Sequence, residues 1–432
     1  MGKDLTNNMK TLRSLAIVAS VAVMAAPAFA QSTSTVPVEK GKITPEQKKE
    51  VLEQLNNILL NNAFIPGVDF KKWPEYLETQ QAALDKAETA TAFSLAVNSA
   101  INRFGASHIV FNTPEAADFQ RTGKMVGLGI QPEVVEEGMK IMFVFEGSAA
   151  SEAGLEVGDI IMEADGKKPT GPGSLRGDEG TKVQLKVKRG KNGKVDMITV
   201  TRRAFSTLQK EELKWLNADV AVLKIPSFMT YDFKLVETLM KEVADKGAKT
   251  LAVDLRGNGG GLVVAMQHLM AQTMPSTAKT GVFISRSVVD RFVEETKGSA
   301  TDWVKLAEFS KLRVGPTRGT SAKPFAGQLI CMINGGSGSA SEIYAAGARD
   351  AAGATILGER SAGAVLASMM WPLKHGFQIQ FPFQDYVTIK GVRLEGNGVS
   401  PDVKVKNQVR LSEPDPAVSV ILELSKKSAS SK

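Results

Sequence analysis

The chain has 432 residues, 43% hydrophobic and 23% charged, an ordinary balance for a globular protein and enough length for more than one core. Its net charge of +7 comes without any block of five or six like charges, which gives no footing to a nucleic-acid binder. One cysteine, Cys331, excludes an intramolecular disulfide, and three separated histidines offer no metal-ligand spacing, so no metal or other cofactor is expected.

Lys10 and Arg13 precede an apolar run at 15–26, and Ala28-Phe29-Ala30 follows. A positive start, a short apolar stretch and small residues at the cleavage point predict a secretory signal peptide over 1–30. The run is too short for a comfortable membrane span, so no stable span remains after cleavage. No cysteine follows it to carry a lipid, and the expected location is the periplasm.

Residues 31–113 read as a linker and a helical region. Thr44-Pro45-Glu46-Gln47 is a capping box with proline at the first helical position, followed by Val51, Leu55, Ile58 and Leu59 at helical spacing. A second helix is predicted over 79–104, ended by Gly105. Residues 114–205 change to short β-like runs at 126–130, 140–145, 160–164, 183–188 and 197–202, with glycine-rich turns between them.

From 206 to 412 strands and helices alternate: strands at 220–225, 251–255, 329–333 and 355–357, and helices at 232–246, 262–273 and 341–351. That order predicts an α/β core. Residues 365–371 and 377–381 read as a hairpin, 287–326 carry no clear motif, and 413–432 offer one amphipathic helix and a polar tail. Cys331 lies inside the apolar run at 329–333 and reads as a small buried hydrophobe. The four tryptophans are scattered, with no stacking pattern for nucleic acid.

Two turns carry chemistry. Asn334-Gly335-Gly336-Ser337-Gly338-Ser339-Ala340-Ser341-Glu342 follows a buried strand and opens a helix. A serine there sits at the positive end of the helix dipole, and the amide after it can face a developing oxyanion. The competing reading is plain: Ser339 and Glu342 also form an ordinary capping box. Asp254-Leu255-Arg256-Gly257-Asn258-Gly259-Gly260-Gly261 ends another strand in a turn able to present amides to an anion. It lacks the Gly-Lys-Ser/Thr ending of a phosphate cradle.

The set Val126-Gly127-Leu128-Gly129-Ile130, Gly147-Ser148-Ala149-Ala150, Ala153-Gly154-Leu155 and Val157-Gly158-Asp159-Ile160-Ile161 resembles a PDZ domain of bacterial proteases. The resemblance implies a groove where a peptide adds as a strand, its carboxylate held near Leu128, Gly129 and Ile130. A small β-barrel that only spaces two domains is the bland alternative. The two glycine turns, with Gly358-Glu359-Arg360-Ser361-Ala362-Gly363 and Glu395-Gly396-Asn397-Gly398-Val399, resemble the carboxyl-terminal processing, or tail-specific, serine protease family over about residues 105–405. This implies a crotonase-like spiral ββα core, Ser339 as nucleophile, and the amides of Gly260 and Ala340 as the oxyanion hole.

The sequence departs from that family at one point. Most members place a catalytic lysine where this chain has Ala364, and alanine cannot take a proton from a serine. Ala106-Ser107-His108 resembles a segment of the tricorn-like branch, which uses serine, histidine and glutamate, and Glu395 fits its glutamate motif. His108, Ser339 and Glu395 are therefore the expected triad, with His268, His375, Lys374 and Lys390 as other candidates for the base. The alternative is an inactive pseudoprotease that binds peptides. The expected substrates are unfolded or C-terminal protein tails cut after small or apolar residues, and a homo-oligomer stays open.

Overall fold

The structure is a computed structural model and describes residues 42–190, 193–317, 323–406 and 414–430. The expected signal peptide lies outside the described residues. No helix among those described is long and apolar enough to cross a membrane.

Thr44 caps α1 (Pro45–Asn61): its hydroxyl accepts the Gln47 N–H while Gln47 Oε1 accepts the Thr44 N–H. The helix expected over 79–104 is two helices, Gln81–Lys86 and α2 (Ala90–Ile101). Thr89 causes the break, because its hydroxyl accepts the Ala92 N–H and starts a new helix. A short 3₁₀ turn follows, and Gly105 closes it with φ of 63°. The chain then enters β1 (Val110–Asn112).

Residues 114–122, ahead of the first expected β-like run, form a helix that was not expected. Thr113-Pro114-Glu115 caps α3 (Pro114–Thr122) as Thr44-Pro45-Glu46 caps α1. The strand expected at 126–130 divides into β2 (Lys124–Gly127) and β3 (Ile130–Val135) at Leu128 and Gly129. Next come β4 (Gly138–Val144), β5 (Ile160–Ala164), β6 (Lys182–Lys188) and β7 (Val195–Thr201). They form an antiparallel sheet in the order β3-β4-β5-β6-β7 over a core that includes Met139, Ile141, Ile161 and Leu185. β8 (Arg203–Ser206) returns to pair with β2.

The main sheet begins with β9 (Glu212–Trp215) and β10 (Val220–Lys224), then α4 (Phe233–Asp245), β11 (Thr250–Asp254) and α5 (Val263–Thr273). β12 (Gly281–Ser285) and β13 (Arg313–Val314) belong to a second sheet. Two helices between them, Arg286–Thr296 and Trp303–Phe309, pack on β12 through Phe292 and Leu306, which accounts for much of the motif-free stretch. β14 (Gln328–Ile333), α6 (Ala340–Ala352) and β15 (Thr355–Gly358) resume the main sheet. β16 (Ala367–Pro372) and β17 (Gln378–Thr388) form the expected hairpin, and β18 (Val403–Lys404) and α7 (Pro416–Ser430) finish the described chain.

The main sheet runs β18-β15-β14-β11-β10-β9, parallel except for β9. β14 shows why its sequence lacks polar alternation: Leu329, Cys331 and Ile333 face α4, α5 and α6, while Ile330 and Met332 face α7. A strand buried on both faces reads as a continuous apolar run. The second sheet runs β1-β17-β12-β13, with β16 on β17. The N-terminal helices cover it through Phe93, Phe111 and Phe377, whose ring centroids lie 5.2–5.6 Å apart.

Candidate active site

Parallel neighbours in a sheet end at the same level, so the turns after β11, β14 and β15 meet. Asp254 pairs with Met332 and Ile333 with Gly358, which brings together the glycine turn, the serine turn and the segment from Glu359 to Ala364. Gly338 donates to Asn258 O at 3.0 Å, Ser341 Oγ donates to the same carbonyl at 2.9 Å, and Ala362 donates to Ser337 O at 3.0 Å.

Ser339 sits at the start of α6 with φ 55° and ψ −118°. A non-glycine residue rarely adopts that conformation, and such strain persists where the surroundings over-determine it. Two acceptors hold the Ser339 N–H: Ala364 O at 2.7 Å and Glu342 Oε2 at 3.0 Å. Glu342 is fully buried and also accepts from Ser361 Oγ at 2.6 Å, Gly363 N at 2.8 Å and Ala364 N at 2.9 Å. Burial raises the pKa of this carboxyl, and the donors around it pull the other way. One carboxylate thus ties the Ser339 backbone to the segment facing it.

Gly260 lies against Ser339. A Cβ there would stand 2.6 Å from Ser339 Cβ and 3.1 Å from Ala340 N, and its φ of 103° favours glycine. Ala340 N–H is the first of helix α6 and points along its dipole. Gly260 N–H, the other amide expected in the oxyanion hole, donates to Asn258 Oδ1 at 2.9 Å in this state.

His108 and Glu395 meet through a residue that sequence reasoning missed. Glu395 is 6% exposed and accepts from Ser107 N at 3.0 Å, Ser107 Oγ at 2.9 Å and Val365 N at 2.8 Å. Ser107 Oγ also lies 2.6 Å from His108 Nδ1. A hydroxyl has one proton, and the Glu395 carboxylate takes it. His108 Nδ1 must then be the donor to Ser107 Oγ, which leaves Nε2 with the lone pair a general base needs. Burial lowers the His108 pKa, and the charge of Glu395 partly opposes this. His108 also has φ of 58°, a second strained residue at the same site.

The segment 364–365 connects the two halves. Ala364 O accepts from Ser339 N, and the next residue, Val365, donates to Glu395. The Glu395 loop is anchored in turn by Arg393, whose Nη2 lies 2.7 Å from the fully buried Asp385. The other candidate bases are engaged elsewhere. His268 bonds Tyr231 and Glu237, Lys374 and His375 both bond Glu50, and Lys390 bonds Asp350. Cys331 is fully buried, which pushes its thiol pKa up. Among the described residues no group of three acids, histidines or cysteines is placed to hold a metal.

The β module offers a second candidate site. Leu128 O accepts from Ala150 N at 2.8 Å, and Gly129 O accepts from Phe145 N at 3.0 Å and Ser148 Oγ at 3.2 Å. Across a trans peptide the N–H opposes the C=O, so the amides of Gly129 and Ile130 point away from the module's interior. Gly129 has φ of 80°, and a Cβ would stand 2.1 Å from Ser148 Cβ.

Residues 219–405 match the model of Peptidase family S41, and residues 126–201 match the PDZ domain. The carboxyl-terminal-processing peptidase 1, chloroplastic, of Arabidopsis thaliana is 26% identical over 80% of this chain and 70% of its own length. The carboxy-terminal-processing protease of Bartonella bacilliformis is 27% identical over 66% of this chain and 62% of that protein. The carboxy-terminal processing protease CtpA of Bacillus subtilis is 26% identical over 68% of this chain and 59% of that protein. The chain therefore spans about 60% of the length of these two bacterial relatives. In fold it is similar to mature CPAF complexed with lactacystin, with TM-score 0.51 and 14% identity over 88% of this chain and 97% of that one.

Proposed function

Residues 219–405 place this chain in peptidase family S41 beside a PDZ domain, and from that premise we propose a serine endopeptidase that captures unstructured C-terminal tails and cuts them at Ser339. The observation that carries the reading is the hydrogen-bonded chain from Glu395 through Ser107 to His108, joined to the strained serine turn through the adjacent residues Ala364 and Val365. Glu395 orients Ser107, and Ser107 fixes the tautomer of His108. His108 Nε2 takes the Ser339 hydroxyl proton as Oγ attacks the scissile carbonyl. The resulting oxyanion meets the Ala340 amide at the helix start, together with Gly260 N–H once a substrate draws it from Asn258 Oδ1. His108 then returns the proton to the leaving amine, and water hydrolyses the acyl-enzyme by the same base.

The Gly129 and Ile130 amides of the PDZ domain would hold a tail's carboxylate, and the sequence at 1–30 favours export to the periplasm. The inactive-binder alternative finds no support: the matched relatives are named as proteases, and every group that the histidine mechanism requires is present.

The test is turnover of a permanently unfolded protein by wild type, Ser339→Ala, His108→Ala and Glu395→Gln. We expect Ser339→Ala to be inert and the other two to lose most of kcat. A His108→Ala enzyme at the wild-type rate would show that another group is the base.

A further inference from the structure

We propose that the free edge of β16 is the rail on which an extended substrate chain pairs as an added β-strand. This rests on the peptidase reading above and names where the unfolded polypeptide lies. β16 pairs with β17 on one side, and among the described residues no strand pairs with its other side. It begins three residues after Ala364, whose carbonyl holds the Ser339 N–H, so the edge leads from the nucleophile.

The chemistry of this edge is unusual for an exposed strand. Sheets protect their edges with charge, proline or a bulge, because unpaired backbone groups recruit other chains. β16 reads Ala-Ser-Met-Met-Trp-Pro, with no charge, its one register shift against β17 at its very start, between Ala367 and Ser368, and its only proline at the far end. Met369, Met370 and Trp371 are 37%, 37% and 44% exposed. Met369 pairs with Phe381 and Trp371 with Ile379, both buried beneath the N-terminal helices. The apolar face of β17 therefore continues onto β16, where it is open to solvent. Alternate apolar side chains of an extended substrate would rest on that ledge while the two backbones bond.

The other edge near a peptide site is defended. β3, beside Gly129, meets a register shift between Gln131 and Pro132, and proline cannot donate to a ladder. β3 and β16 are each six residues long, but β3 is interrupted at its third residue, Pro132, whereas β16 runs unbroken from Ser368 to Trp371 between its register shift and its proline. A second copy of this chain is the competing occupant, and an extended substrate is favoured because the edge starts at the nucleophile's own backbone partner.

The experiment uses the full chain carrying Ser339→Ala, so that binding is read without turnover. The probe is a fluorescent ten-residue apolar peptide with an amidated C-terminus, which removes the carboxylate that the PDZ domain would hold. Fluorescence anisotropy gives its affinity. In a series of this peptide, one backbone amide at a time is replaced by an ester. Strand pairing predicts losses of about 5- to 10-fold at every second ester position and little at those between. A Met369→Ser/Trp371→Ser variant, altered only at exposed side chains, should bind the all-amide peptide about 10-fold more weakly. Losses without alternation, unchanged affinity in the variant, or no binding at millimolar peptide would overturn the proposal. So would sedimentation showing a wild-type dimer that the variant dissociates while peptide affinity stays the same. Failure of the peptidase reading shows separately, as wild-type enzyme that leaves the all-amide peptide uncut.

Discussion

Ser107→Ala is the sharpest perturbation of the site. It removes the hydroxyl that lies 2.9 Å from Glu395 Oε2 and 2.6 Å from His108 Nδ1, but leaves the Ser107 and Val365 amides on Glu395. A hydrogen bond to a charged group is worth about 1.5–3 kcal/mol. At about 1.4 kcal/mol per factor of ten, kcat should fall roughly 10- to 100-fold. KM for an unfolded substrate should hold, because in the proposed mechanism Ser107 orients the base and does not touch the substrate. The assay is steady-state cleavage of a fluorogenic unfolded protein over about pH 5.5–8.5, since a repositioned base also moves the acid limb of kcat/KM. Ser107→Thr keeps a hydroxyl and should recover most of the rate with the original pH profile. Wild-type kcat in Ser107→Ala across that range would refute the relay. So would an equal loss in both variants accompanied by a drop in melting temperature.

Three further outcomes follow from the geometry. Burial holds the folded pKa of His108 below its ordinary 6.5, so the unfolded chain binds the proton first as pH falls. Stability from this group is complete above about pH 6.5 and declines as pH drops towards the lower folded value; urea midpoints should show this decline, and His108→Gln should remove it. Gly260→Ala puts a Cβ 2.6 Å from Ser339 Cβ at φ of 103°, and should cost at least about 1 kcal/mol of stability and reduce kcat more than 100-fold. Glu342→Gln turns one oxygen into a donor facing two donors, either Ser361 with Gly363 or Ser339 with Ala364; denaturant unfolding should register a loss of about 2–5 kcal/mol.

The sheet elements were the most legible part of the sequence, because strands buried on both faces announce themselves as apolar runs. β14 and β11 were readable to within a residue for that reason. The errors share a cause. Thr89 and Thr113 start helices through single hydroxyl contacts, and neither site has an apolar period strong enough to show the break. Thr113-Pro114-Glu115 did repeat the Thr44-Pro45-Glu46 signal and could have revealed α3. At the site, Ser339, Gly260 and Ala340 stood out because their turns combine small residues with a strand-to-helix switch. Ser107 appeared only as a neighbour of His108 in the Ala106-Ser107-His108 segment, and its role is hidden until the fold sets it beside Glu395, 288 positions later. Asn258 looked like turn chemistry, and only three-dimensional contact shows its carboxamide on the Gly260 amide.

Position 364 has a wider consequence. Its carbonyl holds the Ser339 amide and its own amide is held by Glu342, so the scaffolding role belongs to the main chain alone. The side chain at that position can therefore drift under mutation without disturbing the serine turn. With His108 as the proposed base, position 364 is left with structural duties that its backbone alone discharges.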